Sequence, residues 1–202
     1  MRFGLVLFIV LLSFSLLYAQ PEANGKSELQ PAYDFFVDSL DGKTYSLEDF
    51  EGKNLLIIFW ATSCIICKDE FSKLSQQLKA RAINLEVLAI TAENETIVAK
   101  YLRKNPLDFM VGVNGLRIIL RYAKRDSEGR FMLGYPSYVL INSRSEIVKR
   151  IQGEGKIDEI LQTAEQLMKE QNSAKQTETD QKRGSDGTGS TTAKQTEIDQ
   201  KP

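Results

Sequence analysis

Residues 54–60 read Asn-Leu-Leu-Ile-Ile-Phe-Trp, a run apolar on both faces. Such a run suits a strand covered from each side. Straight after it, Ala61-Thr62-Ser63-Cys64-Ile65-Ile66-Cys67 brings in both cysteines of the chain. Cys67, Phe71, Leu74 and Leu78 then recur at i, i+4, i+7 and i+11, one face of a helix. A buried strand that turns directly into an amphipathic helix needs a layer of structure on either side, which restricts the chain to an α/β architecture.

The flanking segments agree. Tyr33 to Val37 and Lys43 to Ser46 bracket Asp41-Gly42, a hairpin signal, and Ser46 with Asp49 predicts the cap of a short helix ended by Gly52. Leu85 to Thr91 reads as a second buried strand, followed by a helix from Asn94 that stops at Asn105-Pro106. A short strand is predicted over Phe109 to Val113, a helix over Leu116 to Ala123, and a hairpin from Tyr138 to Asn142 and Glu146 to Ile151. Ile157, Ile160, Leu161, Ala164, Leu167 and Met168 stripe a last helix.

The two ends differ from this middle. Residues 1–19 carry Arg2, an apolar run from Phe3 to Leu17 and small Ala19, the pattern of an export signal or an uncleaved N-terminal anchor. Residues 20–30 read as a linker and 31–170 as the folded domain. From 171 to 202 the composition is Gln, Thr, Lys, Asp, Gly and Ser, and the stretch 174–182 nearly repeats at 193–201. A segment so poor in apolar residues is expected to stay solvated, because it cannot offset its own ordering entropy.

Composition removes several chemistries. The chain has no histidine, so a Ser-His-Asp triad, a Cys-His protease and a histidine-ligated metal are excluded. Two cysteines supply only half of a tetrahedral zinc site, and no metal or cofactor is expected. A net charge of -1 gives no reason to expect nucleic acid as a partner. Arg117, Arg121, Lys124 and Arg125 read as a basic, solvated helix face, and Asn94-Glu95-Thr96 matches a glycosylation sequon.

What remains is the cysteine pair. At the start of a helix, free backbone N–H groups and the helix dipole stabilise a thiolate. Cys64, nearer that end, is therefore the expected attacking sulfur, and Cys67, one turn in, the resolving one. Glu70 returns to the same side a turn later, where a carboxylate could take the proton that Cys67 must lose, or could simply face solvent. Tyr135-Pro136 precedes an apolar strand, as an ordinary turn or as a cis bond.

The stretch from Phe59 through Cys64-Ile65-Ile66-Cys67 to Glu70-Phe71 resembles the active-site segment of thioredoxin-like proteins of the TlpA/ResA group, extracytoplasmic thiol-disulfide reductases. The likeness extends over most of residues 31–170. It implies a thioredoxin-like fold: a central mixed β-sheet flanked by helices, with an N-terminal β-hairpin extension. It implies Cys64 as nucleophile, Cys67 as resolving cysteine and Glu70 as the carboxylate that tunes the pair. It also implies a cis Pro136 facing the cysteines, with Trp60, Tyr135 and Pro136 on the substrate side. The implied partners are a disulfide-bearing exported protein, such as apocytochrome c, and a membrane thiol reductase that returns electrons to a monomeric enzyme. Ser63, the dipeptide Ile65-Ile66 and the bulky Tyr135 depart from the usual pattern of the group. Two other functions fit the same residues, a redox-inert binding or chaperone module and a thiol peroxidase. The second wants a hydroxyl and an arginine at the cysteine, and the segment supplies only Thr62 and Ser63.

Overall fold

A computed structural model describes residues 29–185; the expected signal or anchor, most of the linker and the end of the tail lie outside the described residues. In chain order the strands are β1 (Gln30–Pro31), β2 (Phe36–Ser39), β3 (Thr44–Ser46), β4 (Leu55–Trp60), β5 (Glu86–Thr91), β6 (Met110–Val113), β7 (Lys124–Arg125), β8 (Phe131–Met132), β9 (Ser137–Ile141) and β10 (Glu146–Gln152). The α-helices are α1 (Ile65–Arg81), α2 (Glu95–Leu102), α3 (Leu116–Tyr122) and α4 (Ile157–Ser185).

Eight strands form one mixed sheet in the order β1-β10-β9-β4-β5-β6-β2-β3. β4, β5 and β6 run parallel, whereas β9 runs antiparallel to β4. Every residue of β4 is buried, and its side chains divide by pleat. Leu56, Ile58 and Trp60 join Phe71 and Leu74 of α1, Val98 of α2 and Ile157, Ile160 and Leu161 of α4. Leu55, Ile57 and Phe59 face the other way, toward Phe50 and toward Ile118, Ile119 and Tyr122 of α3. The α/β layering inferred from that one apolar run is the observed one.

Several boundaries moved. The N-terminal hairpin pairs through β2 with β6 and so continues the main sheet as its far edge, rather than projecting from it. Helix α2 ends at Leu102, before the expected stop at Asn105. The turn after Ser46 is a single 3-10 turn, Glu48–Phe50; Asp49 accepts both the backbone N–H and the hydroxyl of Ser46. The basic residues do not share one helix face, because Lys124 and Arg125 belong to the small β7–β8 hairpin beyond α3. Asn94 caps α2, its side-chain oxygen accepting the N–H of Ile97 at 3.1 Å.

Both domain limits also widened. Gln30, placed in the linker, pairs with Ile147 in the sheet. The last helix runs past 170 to Ser185, and Gln171, assigned to the solvated tail, donates to Asn54 at 2.9 Å and to Ser143 at 2.8 Å. Composition misread this position because it registers apolar content, whereas Gln171 is held by buried polar partners.

Candidate active site

Because β4 and β5 are parallel and β9 is antiparallel to them, three loops meet at one end of the sheet: residues 61–64 after β4, residues 92–94 after β5, and the entry to β9. The register pairs Phe59 with Ser137, which sets Trp60 level with Pro136 and Ala61 level with Tyr135. The cysteine loop and the proline loop therefore leave the sheet side by side.

Cys64 is the N-cap of α1, one residue before the first helical turn where sequence had placed it. Its Sγ accepts the backbone N–H of Cys67 at 3.2 Å, one of the N–H groups that a helix start leaves without an internal partner. Cys64 and Cys67 are joined in a disulfide, their Cα atoms 5.3 Å apart. The two sulfurs differ in access: Cys64 is half-buried and Cys67 is 1% exposed. Only Cys64 is presented to a partner. Between them Ile65 points outward, 84% exposed.

Glu70, one turn beyond Cys67, is 6% exposed, so the solvent-facing alternative is excluded. Its carboxylate accepts the Tyr138 hydroxyl at 2.9 Å and the Gly155 N–H at 3.2 Å. Burial, together with the adjacent Glu70 carboxylate, pushes the Tyr138 hydroxyl well above its ordinary pKa. That proton stays on tyrosine and remains available as a donor to Glu70. Tyr138 belongs to β9, so the carboxylate of α1 is held from the strand that the proline loop enters.

The Tyr135–Pro136 peptide is cis. Pro136 is buried and its carbonyl accepts the Gly153 N–H at 2.9 Å, which leaves half-buried Tyr135 as the member of the pair a partner can reach. Trp60 is a correction. Assigned to the substrate side, it is fully buried, packed edge-on against Phe71 with ring centroids 5.5 Å apart and tilted against Tyr101 at 5.5 Å. It props the cysteine loop from beneath.

One residue escaped the sequence reading. Glu93, after β5, accepts the backbone N–H of Thr62 at 2.7 Å, the Thr62 hydroxyl at 2.6 Å and the Thr91 hydroxyl at 3.1 Å. It fastens the loop two residues before Cys64. Burial raises the pKa of the Tyr135 and Tyr101 hydroxyls, and the charge of Glu93 raises both further. The local signal was slight: an acid between a buried strand and a helix cap looks like a solvated loop residue.

Comparison with known proteins agrees with this geometry. Residues 29–150 match the model of the AhpC/TSA family. The chain is 30% identical over 139 residues to the thiol-disulfide oxidoreductase ResA of Bacillus thuringiensis subsp. konkukian, covering 67% of this chain and 72% of that protein. Among solved structures, the thiol:disulfide interchange protein of the thioredoxin family from Chlorobium tepidum superposes with a TM-score of 0.58 at 23% identity, over 69% of this chain and 99% of that one. The exposed lipoprotein thioredoxin of Streptococcus pneumoniae superposes with a TM-score of 0.55 at 26% identity, over 66% of this chain and 99% of that one. With a redox pair seated at a helix mouth on a thioredoxin-like sheet, and with relatives of this kind, the chain belongs to the AhpC/TSA family and is a thiol-disulfide oxidoreductase.

Proposed function

We propose that the protein works as a reductase of disulfides in exported proteins, with Cys64 as nucleophile, Cys67 as resolving cysteine and Glu70 as the proton acceptor for Cys67. The observation that carries this reading is the asymmetry of the pair: Cys64 is reachable at the helix cap, while Cys67 is sealed beside a buried carboxylate.

The chemistry follows from that asymmetry. In the dithiol form, the Cys64 thiolate is stabilised by the N–H of Cys67 and by the positive end of α1. It attacks one sulfur of the substrate disulfide, forming a mixed disulfide and expelling the other substrate sulfur as a thiolate. Cys67 then loses its proton to Glu70 and attacks Cys64, closing the 64–67 disulfide and releasing the second substrate thiol. Two electrons pass to the substrate, and a thiol reductase on the membrane restores the dithiol. Tyr138 and Gly155 hold Glu70 in place, and Tyr138 can keep donating as the carboxylate changes state.

The peptide backbone of Tyr135 makes no hydrogen bond to other described residues, which leaves it free to pair with a substrate strand. An extracytoplasmic location, with residues 1–19 as signal or anchor, accords with the exposed lipoprotein among the structural relatives. Reduction of apocytochrome c is the task that the TlpA/ResA resemblance suggests. Peroxidase chemistry is disfavoured because the Thr62 hydroxyl is already committed to Glu93.

The test is trapping. Cys67→Ala, with an intact attacking sulfur and no resolving one, should accumulate mixed disulfides with exported proteins that dithiothreitol releases, and Cys64→Ala should accumulate none. The absence of any trapped partner, together with failure of the unsubstituted chain to reduce insulin, would favour the redox-inert binding module.

A further inference from the structure

In the disulfide form the Cys64 sulfur is tied covalently to Cys67, whose side chain packs into the core. Reduction removes that tie. Cys64 then depends for its position on the loop of residues 61–64 and on the start of α1. Three hydrogen bonds fix the loop. The Cys64 N–H donates to the Ala61 carbonyl at 3.0 Å and closes a turn. Inside that turn Thr62 donates twice to the Glu93 carboxylate, from its backbone N–H at 2.7 Å and from its hydroxyl at 2.6 Å.

Glu93 is itself well anchored. Its N–H donates to the Thr91 hydroxyl at 3.2 Å, and that hydroxyl donates back to its carboxylate at 3.1 Å. Its backbone carbonyl accepts the Asn114 N–H at 2.9 Å. Thr91, fully buried at the end of β5, has its own carbonyl occupied by the Gly115 N–H at 2.8 Å. One side chain thus ties the cysteine loop after β4 to the ends of β5 and β6. The carboxylate is half-buried, and among the described residues it pairs with no lysine or arginine. Three donors converging on one side chain suit an acceptor-only group, which glutamate supplies and glutamine does not.

We infer that Glu93 is a positioning residue for the nucleophile. Through Thr62 it holds the Cys64 sulfur within reach of Cys67 when the pair is reduced, and so favours closing of the disulfide. This rests on the reductase reading and deepens it, because a pair that closes readily gives its electrons away. A loose loop would have to be ordered again at every closure, and a held loop is ordered beforehand. The charge of Glu93 acts in the same direction, since a negative group near a thiolate disfavours the dithiol state.

The experiment equilibrates the full chain with dithiothreitol at graded ratios of oxidised to reduced reagent. Chain dithiol and oxidised dithiothreitol give chain disulfide and reduced dithiothreitol, with two electrons and two protons transferred. Alkylation of the remaining thiols reads the position of equilibrium. Thr62→Val removes the hydroxyl bond and keeps the charge, and the constant for closure should fall about threefold. Glu93→Gln removes the charge and one acceptor, and the constant should fall about tenfold, which corresponds to about 30 mV. Glu95→Gln removes the same charge from an exposed residue of α2 that has no partner among the described residues, and should change nothing.

A tie that served folding alone would stabilise disulfide and dithiol forms alike and leave the constant at its parental value, whatever happened to the thermal midpoint. Parental constants in both Thr62→Val and Glu93→Gln therefore overturn the inference. A fall in Glu93→Gln alone also overturns it, by assigning the effect to charge rather than to position, as does an equal fall in Glu95→Gln. Should Glu93→Gln fail to fold, Thr62→Val decides by itself, because it keeps the carboxylate and the backbone bond. A parental constant that marks the pair as an oxidant brings down the reductase reading, a result separate from any difference among the variants.

Discussion

The two ends of the β4–β5–β9 sheet are finished in opposite ways. At the end where β4 and β5 begin and β9 stops, polar groups are paired among themselves. Asn54, 5% exposed, exchanges hydrogen bonds with Gln171; Gln171 also reaches Ser143; Asn142 donates to Glu146; and Lys53 meets Glu86 at 3.7 Å. At the other end Thr62 and Thr91 donate to Glu93 beneath a disulfide whose cysteines are separated by the exposed pair Ile65 and Ile66. The first end closes the fold with bonds satisfied inside the chain, and the second carries the redox pair with Cys64 half-buried at its surface. Stability and chemistry are thus placed at opposite ends of the same strands. Substitutions should separate them.

The largest separation is expected at Glu70. Glu70→Gln keeps the shape and an acceptor for Tyr138 but cannot take a proton, so resolution of the mixed disulfide should slow about 100-fold, visible as an accumulating intermediate in single-turnover quench experiments. An unchanged resolution rate would remove Glu70 from the chemistry and leave it as a link between α1 and β9.

Alkali should test the interior between the two ends. Tyr122, 3% exposed and hydrogen-bonded to both the N–H and the carbonyl of Tyr33, has its pKa pushed up to about 12 by burial, and Tyr138 is raised in the same direction. A tyrosine with a folded pKa above its unfolded value of about 10 favours the fold fully below pH 10. That contribution is lost as the pH rises toward 12. Denaturant titrations should therefore show stability falling through this window by on the order of 2 kcal/mol from Tyr122, and Tyr122→Phe should flatten the fall. A pH-independent midpoint from 9 to 12 would contradict it.

The smallest effect is the mirror image of the first. Asn54→Ala strands the Gln171 amide at the closed end and should cost roughly 1–2 kcal/mol in urea unfolding, while the exchange rate of the folded enzyme stays at the parental value. A loss of rate without a loss of stability would show that the two ends communicate.

Sequence went furthest where the signal was local. The run Leu55 to Trp60, the turn and the cysteines follow one another in the chain, so burial, helix start and reactive pair could be read together. Tyr135-Pro136 was singled out because X-Pro before an apolar strand is itself a short-range pattern. The apolar dipeptide Ile65-Ile66 was legible too, because it lies between the two cysteines in the chain. Trp60 was misplaced for a related reason: its type suits a binding surface, and only the packing of α1 and α2 over β4 shows that it is enclosed.

The amino-acid order alone determined a buried central strand, the helix that opens on Cys64 and the order of its two sulfurs from the helix end, because each depends on residues within one or two turns of one another. Tertiary structure alone decided that Glu70 is locked by Tyr138, that Glu93 clasps Thr62 and that Gln171 belongs to the domain. Those contacts join positions 31, 68 and 117 residues apart. No local preference encodes such pairs; they exist only once strand order and register have brought distant segments to the same edge.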